Sequence, residues 1–414
     1  MKKLFIFKKI FLFLLIISAG VFIFGFLYPY NLDISNKNLS EELKINNKNY
    51  LDNNLDKNNL ISTSSNSQDK DILYHQSSSL IIGEKLKNSP SIIKGIYATS
   101  WSAGDSKKIN ELISIIKKNN LNSIVIDIKD YSGYLAYDIP IEEAKIAGAL
   151  SQIKIKSINE LIQKLHNENI YVIGRVTVFQ DPVFAKAYPE NAIKNKLTGQ
   201  IWKDNKGLSW IDPKSKDYWD YIIKISRDAS NRGFDEINFD YIRFPSDGDL
   251  KNISYPFWDE KIPQREIIKE FFSYLRKELS DIKISADVFG LTTIASGSDL
   301  GIGQIIEDAY LNFDVVCPMI YPSHFASGFL GYKNPADYPY EVIRSSLEEA
   351  LKKIQNTTSS KSLIRPWLQV FDLGSRYDNK KIQDQIKATE EVLANTNYYG
   401  GYLLWDPKNI YLDL

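Results

Sequence analysis

The sequence predicts a (β/α)8 barrel over residues 91–414, and three observations carry that prediction. Eight apolar runs of strand type alternate with seven helical patterns, as parallel strands joined by crossover helices require. Eight is also the strand count that closes a barrel. The connections are asymmetric: helix-to-strand links are short (119–122, 167–169, 232–233, 280–281), whereas three strand-to-helix links are long (177–213, 245–263, 321–339). An open doubly wound sheet is the alternative for the same alternation. In either fold the long loops gather at the carboxyl ends of the strands, where active sites are built.

The strand runs are 92–99, 123–129, 170–178, 234–243, 282–289, 313–321, 363–371 and 401–405. The helical patterns between them are 107–118, 157–167, 215–232, 265–279, 302–311, 340–354 and 381–394. Side chains alternate faces along a strand, so each polar phase can be read off. In the second strand Ile124, Ile126 and Ile128 share one face, which points Asp127 and Lys129 inward near its end. Arg175 ends the third strand. In the fourth, Ile237 and Phe239 face outward, while Glu236, Asn238 and Asp240 take the inward phase. Ser285 and Asp287 are in phase in the fifth, with Asp287 near its end. Cys317 sits in the sixth as a small apolar residue. Gln369 lies late in the seventh, and Trp405-Asp406 closes the eighth.

A carboxylate inside an apolar strand is costly without a partner or a task. Asp127, Asp240 and Asp287 hold such positions on three strands. One reading pairs them with Lys129, Arg175 and Arg243 in a structural polar layer. The other makes Asp240 and Asp287, on neighbouring strands, a catalytic pair at the roughly 5–5.5 Å spacing of retaining glycosidases. The long loops carry Tyr188, Trp202, Trp210, Tyr255, Trp258, Tyr321, Tyr332, Tyr338 and Tyr340. Singly such rings anchor loops; grouped around one mouth they suit the apolar faces of sugars. His324, in the loop after the sixth strand, is placed to bond a sugar hydroxyl.

Composition removes several other classes. Formal net charge is zero, with no basic stripe for nucleic acid. One cysteine excludes a disulfide framework, and three scattered histidines argue against a zinc site. The same lack of a His/Asp cluster argues against a metal-dependent deacetylase, and no calcium-loop spacing appears. No cofactor is implied. Gly301-Ile-Gly303 lacks a third glycine and follows the fifth strand, so it is not a dinucleotide loop. His166 falls in a helix pattern, which leaves no serine triad.

The amino-terminal 90 residues differ in character. After Lys2, Lys3, Lys8 and Lys9, residues 10–32 carry no charge, and roughly 20 apolar residues span a bilayer. Residues 1–32 are therefore expected to anchor the chain with its amino end in the cytoplasm; a cleaved signal peptide is the alternative, and both export the remainder. Residues 31–90 hold 12 Asn and 10 Ser but two aromatics, too little apolar surface to offset ordering. Residues 33–90 are read as a solvated tether.

An ordered set of motifs also carries a family resemblance. Lys94-Gly-Ile-Tyr-Ala-Thr-Ser-Trp, Val125-Ile-Asp-Ile-Lys-Asp, Ile173-Gly-Arg-Val, Asn238-Phe-Asp-Tyr-Ile-Arg-Phe-Pro and Ser285-Ala-Asp-Val-Phe-Gly come first. Cys317-Pro-Met-Ile-Tyr-Pro, Arg365-Pro-Trp-Leu-Gln and Gly401-Tyr-Leu-Leu-Trp complete it. The set resembles a family of uncharacterised bacterial glycoside hydrolases whose domains look like α-amylase-superfamily barrels, over about residues 92–408. The resemblance implies Asp240 as nucleophile and Asp287 as acid/base. It departs from the amylase pattern, whose strand-five acid is Glu, and the reversed assignment stays open. Asp127, Lys129, Arg175, Trp210, Asn238, Arg243, Tyr321, His324, Gln369 and Trp405 are the expected substrate-binding residues, and the expected substrate is an extracellular or cell-wall glycan. A catalytically silent glycan-binding barrel is the competing function.

Overall fold

The computed structural model describes residues 82–411 and Leu414. The expected anchor (1–32) and nearly all of the expected tether (33–90) lie outside the described residues. Among the described residues, no helix is long and apolar enough to cross a membrane.

Eight strands form the barrel: β1 (Ile93–Ala98), β2 (Ser123–Lys129), β3 (Tyr171–Thr177), β4 (Glu236–Asp240), β5 (Ile284–Phe289), β6 (Val315–Ile320), β7 (Trp367–Gln369) and β8 (Gly401–Trp405). Each pairs in parallel with the next, and β8 pairs in parallel with β1, so the sheet closes. That closure removes the open-sheet alternative. Gly401 makes it possible: its φ is +99°, and a Cβ there would stand 1.8 Å from the Ile93 carbonyl oxygen.

The seven crossovers contain α1 (Ser106–Lys118), α2 (Ile158–Asn167), α3 (Lys216–Asn231), α4 (Gln264–Glu278), α5 (Ile306–Tyr310), α6 (Pro339–Asn356) and α7 (Asn379–Leu393). Local signals start several of them. Asp105, Ser215 and Asp378 cap α1, α3 and α7 by accepting from the backbone N–H of Lys108, Tyr218 and Lys381. On α1, Ile109, Leu112, Ile113 and Ile116 repeat at helical spacing and form its buried face.

The strand phases sort the apolar side chains into two clusters. Ile124, Ile126, Ile128, Ile237 and Phe239 join the layer between sheet and helices. Val125, Tyr97, Ile173, Cys317, Trp367 and Leu403 fill the barrel interior. At the amino end of the interior, Arg365 donates to both carboxylate oxygens of Glu236 at 2.8 and 3.3 Å.

Three elements differ from the sequence expectation. The run 234–243 stops as a strand at Asp240, because Tyr241 adopts φ +55° and turns the chain. The run 363–371 divides at Pro366, whose missing N–H breaks the ladder between Leu363–Ile364 and β7. The tether does not reach residue 90 free of the barrel. Gly83 N donates to Asn231 O (2.7 Å), Lys85 Nζ to Phe234 O (2.7 Å) and Leu86 N to Asp235 Oδ1 (2.7 Å). A Cβ at Gly83 would lie 2.0 Å from the Arg232 carbonyl oxygen, so the approach demands glycine. These residues precede β4, so the segment docks on the face opposite the mouth.

Candidate active site

Asp127, Arg175, Asp240 and Asp287 meet inside the barrel at the carboxyl ends of β2, β3, β4 and β5. The register places Asp127 opposite Arg175 and Thr177 opposite Asp240, which sets Arg175 between its neighbours. Its Nη1 donates to Asp127 Oδ1 at 2.5 Å and its Nη2 to Asp240 Oδ2 at 2.5 Å. Nε stands 3.7 Å from Asp287 Oδ2. One guanidinium therefore touches all three carboxyl groups. The two distances on its Asp240 and Asp287 side keep the nearest oxygens of that pair within about 9 Å, which does not exceed the roughly 9.5 Å upper limit of glycosidase carboxyl pairs.

One cation does not balance three buried carboxylates. Burial, reinforced by the charge of Asp240, pushes Asp287 up to about 8, while Arg175, Asn238 and Trp367 pull the other way. Burial raises Asp127 to about 6 against the pull of Arg175. The donors differ as well. Asp287 Oδ1 accepts from Asn238 Nδ2 (2.9 Å) and Trp367 Nε1 (2.8 Å). Asp240 Oδ1 accepts from Tyr241 N at 2.6 Å, a bond made by the left-handed turn at Tyr241. The Tyr97 hydroxyl donates to Asp127 Oδ2. Trp405 stacks on Tyr97 at 3.9 Å, with the Arg175 guanidinium 5.2 Å from the Trp405 ring.

The other expected site residues are distributed unevenly. Asn238 also bonds Ser285 Oγ at 3.1 Å and lies directly beneath Asp287. Lys129 leaves the expected cluster: a register shift after Asp127 turns it to Thr177 O (2.8 Å) and Asp181 Oδ2 (2.9 Å), fully buried. Gln369 is spent on the scaffold, accepting from Ser323 N and Oγ and donating to Phe371 O. His324 packs 5.2 Å from Tyr321, and burial lowers it to about 4, so it is neutral at pH 7. Trp210 is buried, donating to Asp204 Oδ2 at 3.0 Å, yet its ring covers Arg243.

Most of the loop aromatics anchor loops. Trp202 donates to Asp249 O and Trp258 to Ile262 O, both buried. The Trp202 bond and the pairing of Lys194–Asn195 to Ile253–Ser254 fasten the loop after β3 to the loop after β4, while the Trp258 bond closes the latter on itself. Tyr332 and Tyr338 instead stack on each other at 3.8 Å. Sequence reasoning passed over Tyr97 and Trp367, whose inward phase opposite Val125 and Met319 was the available signal. It also passed over Trp101, 66% exposed in the short helix after β1. Among the described residues no set of three or more His, Cys, Asp or Glu converges for a metal ion.

A closed parallel barrel with carboxyl groups at the carboxyl ends of adjacent strands is an arrangement that glycoside hydrolases use. Residues 95–411 match the family described as "Putative glycosyl hydrolase domain", and the chain belongs to that family, a glycoside hydrolase by membership. A hypothetical protein of Ruminiclostridium thermocellum ATCC 27405 is 38% identical, covering 47% of this chain and 97% of its own (TM-score 0.43). The glycoside hydrolase domain of PgaB (BpsB) from Bordetella bronchiseptica shares the fold at 12% identity, over 77% of this chain and 95% of its own (TM-score 0.54). No curated protein sequence matches the chain.

Proposed function

We propose that the protein hydrolyses O-glycosidic bonds of a polysaccharide outside the cytoplasmic membrane, with Asp240 as nucleophile and Asp287 as proton donor. The observation that carries this reading is the shared edge of Arg175: Nη2 holds Asp240 and Nε faces Asp287. Adjacent nitrogens favour the short spacing, about 5–5.5 Å, of a retaining pair. At neutral pH a carboxyl pushed up to about 8 still holds its proton and can deliver it to the leaving oxygen. Asp240 attacks the anomeric carbon as the glycosidic C–O bond breaks. Water then attacks the glycosyl ester, gives its proton to Asp287, and releases the sugar and the Asp240 carboxylate. Arg175 fixes the attacking oxygen, and Asn238 and Trp367 fix the acid. The extracellular placement rests on the lysine-flanked apolar run at residues 10–32.

A second reading, a silent glycan-binding barrel, is favoured by one observation: Asp287 is 1% exposed, with two donors already on Oδ1. Release of new reducing ends from bacterial wall glycans and α- and β-glucans separates the two. The wild type should act on at least one glycan, and Asp240→Asn, folded, should lose that activity. Binding without release by either protein would establish the silent barrel.

A further inference from the structure

Four cationic side chains are buried among the described residues: Lys129, Arg175, Arg243 and Arg365. Three have a carboxylate partner, in Asp181, the Asp127–Asp240 pair and Glu236 respectively. Arg243, 8% exposed, has none. A buried guanidinium without a direct ion pair is costly, and burial lowers its pKa from the ordinary value against the pull of Asp240, Asp247 and Asp204.

Its surroundings are specific. The guanidinium lies 4.9 Å from the Trp210 ring, 5.2 Å from Tyr241 and 4.8 Å from Phe289. Only Nη1 is engaged, with Phe244 O at 3.0 Å and Ser246 Oγ at 3.2 Å. Nε and Nη2 carry no hydrogen bond, yet neither is among the sealed, unpartnered atoms of the interior. That open edge is the one that meets a carboxylate with two parallel N–H donors. Asp240, Asp204 and Asp247 lie near enough to act on Arg243 through their charge, but none makes an ion pair with it, and each accepts hydrogen bonds from other groups: Asp240 from Arg175, Asp204 from Gln180 and Trp210, Asp247 from the Asn205 N–H. Arg243 follows Asp240 by three residues, so a group it holds sits beside the reacting centre.

We infer that Arg243, walled by Trp210, Tyr241 and Phe289, is the subsite for the carboxylate of an acidic sugar, so that the substrate glycan carries uronic acid residues. The inference rests on the glycosidase reading for its substrate but not for its binding step. Trp210 backs the guanidinium, the half-buried Tyr241 and Phe289 rings flank the approach of a pyranose, and the open guanidinium edge supplies the charge-paired fork.

The test measures binding of the full chain to oligogalacturonate and oligomannuronate, each against the same oligomer with its carboxyls reduced to hydroxymethyl groups. Inorganic phosphate and sulfate serve as competitors. Wild type and Asp240→Asn should both prefer an acidic oligomer over its reduced form at least tenfold, and salt should erode the preference. Arg243→Met should abolish the preference, and Arg243→Lys should keep part of it. Displacement by phosphate or sulfate as strong as by free galacturonate would overturn the carboxylate assignment. Equal affinity for acidic and reduced oligomers, or no binding of either, would also overturn the inference, and it reads on wild type alone if Arg243→Met does not fold. Reducing-end release is followed on the same panel. Cleavage of neutral glycans only, lost in Asp240→Asn, sinks the acidic subsite and leaves the hydrolase; acidic preference without cleavage does the reverse.

Discussion

The Trp367 indole N–H donates to Asp287 Oδ1 at 2.8 Å, joining β7 to β5 through the barrel interior. Asn238 supplies the second donor to the same oxygen. Both bonds favour the charged carboxyl and oppose the burial that drives it upward. The protonation of Asp287 at neutral pH is thus a balance that single side chains can move.

Trp367→Phe removes one of those donors while keeping an aromatic ring. Asp287 should then hold its proton more tightly, and the basic limb of kcat/KM should move to higher pH. A hydrogen bond to a charged group is worth about 1.5–3 kcal/mol, so a shift on the order of one unit is expected. Rate profiles of wild type and variant between about pH 6 and 10 check it. An unmoved limb would mean that Asp287 is not the proton donor.

Asp287 also ties stability to pH. The unfolded carboxyl loses its proton near the ordinary 3.8, whereas the folded one keeps it to about 8. Between those values the native state binds more protons, so stability falls as pH rises. Asp287→Asn removes that dependence. Its stability relative to wild type should therefore improve between pH 5 and 8 by at least about 1.4 kcal/mol, the equivalent of one pKa unit. Any fixed cost of the amide enters equally at both pH values. Urea unfolding at the two pH values measures the difference, and a flat difference would place the titration elsewhere.

Arg175→Met leaves Asp127, Asp240 and Asp287 without the guanidinium they share. Stranding buried charge costs about 3–5 kcal/mol, and the loss should be greatest above pH 8, where Asp287 is ionised. Arg175→Lys should recover part of the stability and little of the activity, since an ammonium cannot face three carboxyls at fixed angles. Equal stability of Arg175→Met and wild type at high pH would show that the cluster is hydrated rather than sealed.

The strand phases were legible because one face of each strand is uniformly apolar (Ile124, Ile126 and Ile128; Ile237 and Phe239; Ile284, Ala286 and Val288), which turned Asp127, Asp240 and Asp287 inward on the other. The partner of these three was less so. Nothing local shows that Arg175 serves all of them while Arg243 serves none, because that choice depends on register and on the turn at Tyr241. Lys129 was misplaced for a related reason: alternation fails across the register shift after Asp127, and one residue of slip reverses a face. The aromatic loops suggested a cleft, but burial of Trp202 and Trp258 is settled by contacts between loops, which composition does not encode.

Lys129 gives a clean separation of scaffold from site. Its ammonium bonds Asp181 Oδ2 and Thr177 O, and lies 5.9 Å from the Tyr218 ring. Asp181 in turn accepts from the Tyr218 hydroxyl and caps Pro182–Ala187 through Phe184 N. Lys129→Met leaves the Asp181 carboxylate buried without a cation, so a loss of about 3–5 kcal/mol is expected. Adding Asp181→Asn to it removes the stranded charge and should restore part of that loss, a coupling that a double-mutant cycle isolates. Below the unfolding transition, KM of Lys129→Met should equal that of the wild type, because Lys129 faces helix α3 and not the Arg175 cluster. A raised KM at unchanged stability would return Lys129 to the substrate-binding residues.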